Sequence, residues 1–249
     1  MTISVYPSTA LSIFIQIAGG FVPGTTAFVG SASQSALPSG NFYPVWENAS
    51  YYPTYPSSAA TQYVTSTSAS DTSVQILVSG VNASYVLTTE TVTLNGTAFI
   101  ATANTYLRIN SISVSGTKSP VGTITIGPSS STTTTVYAVI GLTTQNGSSI
   151  SNGRSNMSVY TVPAGYTLYT TREQGWVAGG WANYATFRIF SQNTGIPTVY
   201  GGAPFVESGY NVTQVSPLVY PAKTDIQWQL SVVNSTAVSV QVVGILIAS

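Results

Sequence analysis

The amino-acid sequence predicts an all-β protein: an antiparallel β-sandwich or jelly roll carrying an extended N-terminal arm. Apolar residues recur with period two between Gly, Pro, Ser and Asn, the alternation of a half-buried strand rather than the 3.6-residue period of a helix. Strong helix formers are scarce. The strand-like runs are short and separated by turn residues about every ten positions, the spacing of sandwiches and jelly rolls.

Residues 1–70 read as the arm. Leu11, Ile13, Ile15 and Ile17 alternate and predict one strand over 11–17, followed by a run rich in Pro, Gly, Ser and Tyr. Residues 71–249 read as the body, with strand-rich halves 71–145 and 155–249 divided by the turn-rich segment NGSSISNGRSN at 146–156. In the first half, SVQILVSGV puts Val74, Ile76 and Val78 on one face, and YVLTTETVTL puts Val86, Val92 and Leu94 in a common phase. Asn95-Gly96, between TVTL and TAFI, predicts a two-residue hairpin with a type I′ turn, which needs positive φ at both positions. TYLRINSISVS carries Leu107 and Ile109 in one phase and Ile112 and Val114 in the other. That slip predicts a β-bulge near Asn110-Ser111. TITI (123–126) and TTVYAVI (134–140) complete this half; MSVYTVPAGYTLYTT, ATFRIF, TVYGGAPFV, DIQWQLSVV and VSVQVVGILI make up the second.

Charge is nearly absent. The 249 residues include six Lys or Arg, six Asp or Glu, no His and no Cys, where ordinary domains devote about a quarter of their residues to charge. General acid–base and metal chemistry rests mostly on His, Cys and clustered carboxylates, and the six acids lie far apart along the chain. No catalytic, cofactor-binding or metal-binding residue is therefore expected, and the chain does not read as an enzyme. The cations never cluster, so the basic footprint that nucleic-acid binding requires is missing. The longest apolar stretch, Ala10 to Val22, spans 13 residues and contains Ser12 and Gln16, short of the about 20 needed to cross a bilayer. No Lys or Arg precedes it, as one would in a secretion signal; no membrane insertion is expected.

A chain of zero net charge lacks the repulsion that keeps free proteins apart, so its surface must be hydrated by neutral groups or covered by partners. Sixteen tyrosines supply amphipathic contact area of the kind enriched at interfaces. Phe42, Tyr43, Trp46, Tyr51, Tyr52 and Tyr55, interleaved with Pro44, Pro53 and Pro56, read as a partner-docking interface, with a sugar-stacking face or a loop packed on its own domain as alternatives. Trp176 and Trp181, set among glycines in EQGWVAGGWAN, read either as a receptor or sugar platform or as plugs at one end of a sandwich. Asn-X-Ser/Thr sequons at Asn48, Asn82, Asn146, Asn156, Asn211 and Asn234 are possible glycan sites, while that at Asn95 is explained by its turn.

The phrases ETVTLNGTAFIATANTYLRINSISVSG with VGTITI, then YTVPAGYTLYTT, then KTDIQWQLSVVNSTAVSVQVVGILI resemble a group of tailed-phage virion structural proteins in which they recur in this order. The resemblance covers about residues 74–249. It implies a non-enzymatic particle protein with a β-sandwich body, located in the virion. Taken with the composition, the expected role is a capsid decoration or cement protein that docks on the major capsid protein, or on another virion protein, as a homo-oligomer, with a trimer favoured. A tail or fibre component binding a host surface glycan is the alternative, and a glycosylated cell-surface or S-layer-like β protein is a third.

Overall fold

The computed structural model describes residues 16, 17, 19–47, 55–145, 148–178, 184–193, 196–200, 204–206 and 209–249. Two strands come first, β1 (Thr25–Leu37) and β2 (Tyr43–Pro44). A run of seven follows: β3 (Ala60–Ser66), β4 (Thr72–Val81), β5 (Leu87–Asn95), β6 (Ile100–Tyr106), β7 (Arg108–Val114), β8 (Ile124–Gly127) and β9 (Ala138–Ile140). After the hairpin β10 (Leu142–Gln145) and β11 (Ser148–Ser151) come β12 (Val159–Thr161), β13 (Tyr166–Val177), β14 (Tyr184–Asn193), β15 (Ile196–Tyr200), β16 (Pro204–Val206), β17 (Tyr210–Tyr220), β18 (Asp225–Val232) and β19 (Thr236–Ala248).

The strands build two sandwiches, each with its own core. In the larger one, a sheet ordered β1-β19-β13-β17 faces a sheet ordered β12-β18-β14-β15, with β2 beside β12 on β18 and β16 beside β15 on β14. Counted in chain order without the short β2 and β16, the first sheet is 1-8-3-6 and the second 2-7-4-5. That is jelly-roll topology. Val238, Val240, Val242, Leu168 and Val177 from the first sheet meet Phe187, Ile189, Ile226, Trp228 and Leu230 from the second, and their alternation with exposed neighbours in VSVQVV is what sets the register. The smaller sandwich packs β6-β3-β8-β9 against β5-β4-β7, around Val64, Ile76, Val78, Ile109, Ile112, Ile124 and Ile126. It is inserted between the first and second jelly-roll strands.

The all-β expectation therefore stands, and the jelly roll is its particular form. Residues counted in the expected arm are distributed differently. β1 pairs along its length with β19, from Thr25↔Ile247 to Leu37↔Thr236, and β3 is a central strand of the inserted sandwich. Of the strand expected over 11–17, residues 11–15 lie outside those described, while Gln16 and Ile17 are in a helical turn. That turn closes with Phe21 N–H on the Gln16 carbonyl (2.9 Å) and Gly20 N–H on the Ile17 carbonyl (3.0 Å). Gly20, at φ 74°, supplies the left-handed residue such a helix stop requires.

The bulge is where the phase slip puts it: Ser79 opposes Ser111 and Gly80 opposes Ile109, leaving Asn110 as the extra residue of β7. The hairpin at Asn95-Gly96 is a correction. β5 pairs with β4 and β6 with β3, in opposite sheets, so the chain arches across the sandwich instead of doubling back. Only Gly96 has positive φ (59°), the turn being closed by Ala98 N–H on the Asn95 carbonyl (3.2 Å). Glu90 keeps the arch together, its carboxylate accepting from Ala103 N–H (2.7 Å) and Asn104 N–H (3.1 Å). The two-residue Asn-Gly connection belongs to β10 and β11, whose register Gln145↔Ser148 leaves only residues 146 and 147 between them.

Candidate functional site

Among the described residues, four charged side chains, Arg108, Asp71, Glu173 and Asp225, are buried. At the seam between the sandwiches, Arg108 and Asp225, each 7% exposed, form a two-pronged pair, Nε–Oδ1 3.1 Å and Nη2–Oδ2 3.0 Å. Thr161 adds a hydroxyl donor to the same carboxylate (2.6 Å). Nη1 of Arg108 donates to the Pro56 and Leu107 carbonyls, and the guanidinium lies 4.6 Å from the Tyr55 ring centre. The bulge turns Asn110 toward β12, where its amide donates to the Thr161 carbonyl and accepts from the Thr161 N–H, both at 2.9 Å. Nearby, Lys223 lies over the Tyr85 ring and Arg154 donates to Ser31. Asp71 accepts from Ser66, Val121 N–H and Gly122 N–H, and Glu47 from Gly141 N–H, Asn152 and Asn156. Among the described residues no group of three His, Cys, Asp or Glu could hold a metal, and no helix is long and apolar enough to cross a membrane.

The aromatic docking residues are placed within the fold as far as they are described. Trp46 is 1% exposed in the core of the inserted sandwich, bridged to Met157. Its area is spent inside the chain and cannot meet a partner. Tyr43 packs on the jelly-roll core. Phe42 lies 3.9 Å from the Arg188 guanidinium, whose Nε donates to Gln229 (2.6 Å), and Tyr55 accepts from Gln227 (3.2 Å). The physical reason is local: the outer face of β18 carries amides and a neighbouring cation that these rings cover. Tyr51 and Tyr52 lie outside the described residues.

Trp176 is different. It is 47% exposed, on the outer face of β13, at the edge of an open cleft of about 550 Å³. The floor is one row across the whole first sheet: Ser31 of β1 opposes Gln241 of β19, Gln241 opposes Gln174 of β13, and Gln174 opposes Asn211 of β17. The next row sets Ser33 against Ser239 and Ser239 against Trp176. These positions point outward because their neighbours Ala32, Val240, Val242 and Val177 are in the core. Gly209 lets the chain enter β17 close to the floor: its φ is 79°, and a Cβ there would stand 2.7 Å from the Gly175 carbonyl. No described ionisable side chain lines the cleft, but an arginine stands at each end of the row: Arg172 Nε reaches the Asn211 Oδ1 at 3.4 Å and Arg154 Nη2 the Ser31 Oγ at 3.2 Å. No described residue bonds the side-chain amides of Gln174 or Gln241.

Trp181 lies outside the described residues. Of the sequons, Asn211 lies in the cleft and Asn234 is exposed before β19. Asn82 is tied into its own turn by Ser84 and Val86 N–H, and Asn156 donates to Glu47 (2.8 Å). Asn48 and Asn146 are not among the described residues. Sequence reasoning missed Ser31, Gln174 and Gln241. The signal was present as polar residues at the outward phase of apolar strands, but only the pairing of four distant segments shows that they form one row.

No protein-family model and no curated protein matches the chain. Two solved structures are similar at a low level: infectious bursal disease virus, Gx strain, at 10% identity and TM-score 0.25, covering 94% of this chain and 78% of that one, and the VP2 subviral particle of infectious bursal disease virus, at 10% identity and TM-score 0.25, covering 96% and 78%. Both likenesses lie below the level at which two chains share a fold.

Proposed function

We propose that this protein is a structural component of a virion, of the decoration or cement type, docking as a homo-oligomer on the lattice of a major capsid protein. The observation that carries the reading is the jelly roll with a second sandwich inserted between its first two strands, on a chain whose described carboxylates are all hydrogen-bonded within the fold. Jelly rolls serve as capsid, lectin and cupin domains, and the fold alone does not choose among them. A cupin binds its metal largely through histidine, and this chain has none. Phe21, Val29, Val86, Leu87 and Val121 are exposed apolar side chains that a neighbouring surface would bury. The resemblance of residues 74–249 to tailed-phage virion proteins supports the same class.

The mechanism is mechanical. An interface of standard size, about 1,200–2,000 Å² in total, spread over adjoining capsomers adds its free energy to the cost of opening the shell. With so few charges available, that attachment depends on apolar and neutral polar contact, which moderate salt does not screen. The test is to count copies per particle and to rebind purified protein to stripped shells across a NaCl series. Hundreds of copies and binding that persists at high salt are expected. A few copies at one vertex or tail, or ready stripping by moderate salt, would overturn the decoration role.

A further inference from the structure

We infer that the cleft on the outer face of the β1-β19-β13-β17 sheet is a binding site for a neutral oligosaccharide, with Trp176 as stacking platform and Gln174, Gln241 and Asn211 as hydroxyl-reading groups. A pyranose ring has one face of C–H groups and a belt of vicinal hydroxyls. The C–H face is apolar and slightly electropositive, so it stacks on the electron-rich face of an indole. Each hydroxyl both donates and accepts, and a primary amide offers two donors and an acceptor in one plane, so an amide spans two neighbouring hydroxyls where a carboxylate or ammonium satisfies only one polarity.

The outer face has this composition. Trp176 is half-exposed beside the amide row. Gln174 and Gln241 oppose each other directly across β13 and β19, which sets their Cβ atoms about 5 Å apart, and both amides are unbonded to any described residue. Ser239 adds a hydroxyl in the next row, beside Trp176, and Ser31, whose hydroxyl accepts from Arg154, closes the amide row. The cleft of about 550 Å³ falls within the size range of ligand sites, and its openness along the sheet suits a chain of sugars over a buried monomer. Among the described residues the lining itself contains no ionisable group, and the arginines at the two ends of the row are engaged with Asn211 and Ser31, so the floor between them offers neutral hydrogen-bonding groups. The middle of the floor is rigid, because β19 and β13, which carry Gln241, Gln174 and Trp176, are each hydrogen-bonded on both sides within a four-stranded sheet. Little ordering cost then opposes binding. The site stands on this sheet alone and does not require the capsid-docking role.

The test uses the purified full chain with three uncharged probes, maltohexaose, the hexamer of N-acetylglucosamine and a linear mannan fragment, titrated into the millimolar range by calorimetry and tryptophan fluorescence. At least one probe should bind. Trp176→Ala should weaken that probe by about tenfold or more and Gln241→Ala or Gln174→Ala by a smaller factor, while Trp176→Phe, which keeps a stacking ring, retains part of the affinity. Thr117→Ala, in the exposed loop after β7 of the inserted sandwich, should leave binding unchanged, and thermal melts of every variant should match the parent. No binding of any probe, or binding that survives Trp176→Ala, overturns the proposal. So does self-association at high protein concentration that Trp176→Ala abolishes, since the cleft would then belong to a second copy of the chain. Capsid rebinding measured on the same variants separates this result from the docking role: loss of sugar with retained rebinding supports the site, and loss of rebinding alone with sugar retained does not touch it.

Discussion

At the seam between the sandwiches Arg108, Asp225, Thr161 and Asn110 are buried and bonded to one another or to backbone; on the outer face of the jelly roll Gln174, Gln241 and Trp176 look onto solvent with nothing of the described chain bound to them. Both regions are made of paired strands carrying polar side chains. What separates them is the number of elements that fix each group. The Arg108 guanidinium is held from β18, from the Pro56 carbonyl and by the Tyr55 ring, so the cost of desolvating the ion is offset by several aligned partners. The outer amides are positioned by one sheet only. Removing a group from the seam should therefore damage the fold, and removing one from the face should damage at most a binding event.

The largest effect is expected from Asp225→Ala, which leaves Arg108 buried without its counter-ion and should cost about 3–5 kcal/mol in denaturant unfolding. The double replacement Arg108→Met with Asp225→Leu should recover most of that loss, because the uncompensated charge is what destabilises. Equal damage in the double variant would mean that packing rather than charge holds the seam. Asn110→Ala comes next. It strands the Thr161 N–H and carbonyl, already turned away from water, and about 1–3 kcal/mol should be lost. A neutral result would show that water reaches the bulge.

A third test separates the regions by pH. Burial pushes the Tyr160 phenol above its ordinary value, with Tyr166 adding to the shift; the ring lies beneath Phe28, centroids 4.8 Å apart. Burial does the same for Tyr106, with the negative charge of Glu90 adding to the shift. A group raised in the folded state keeps its proton after the unfolded chain has lost it, so its contribution is complete below about pH 10 and is lost as pH rises toward the folded value. Stability should fall above pH 10 by about 1.4 kcal/mol per phenol per pH unit. Tyr160→Phe should flatten that fall, and an unchanged slope would place the titration elsewhere. The smallest effect belongs to the outer face: Gln241→Ala and Trp176→Ala should each change stability by no more than about 0.5 kcal/mol, and a larger loss would show that the face is structural.

Much of this was legible from strand chemistry alone. The alternation in VSVQVVGILI and DIQWQLSVV marks both the strands and their inward faces, and the phase slip in TYLRINSISVS marked the neighbourhood of the bulge, which falls at Asn110. The hairpin failed at Asn95-Gly96 although the dipeptide is the same as at 146–147. A turn signal states that the chain can reverse, not which strand the next segment will find, and β6 found β3. Within the aromatic run, Trp46 departs from the docking reading for a related reason. Trp46 and Tyr55 look like surface in a Pro-rich stretch, and become interior only when Met157 and Arg108, more than fifty residues away along the chain, come to rest against them.

By itself the sequence determined the class of the fold, the paucity of charge and the inward and outward sides of most strands, since period-two patterning and composition act over a few residues and need no partner. Only the tertiary structure decided which strands share a sheet, where the buried Arg108–Asp225 pair sits, and that Ser31, Gln241, Gln174 and Asn211 form one row. Pairing between segments more than two hundred residues apart is selected by the burial of whole faces at once, and no local stretch of the chain carries that information.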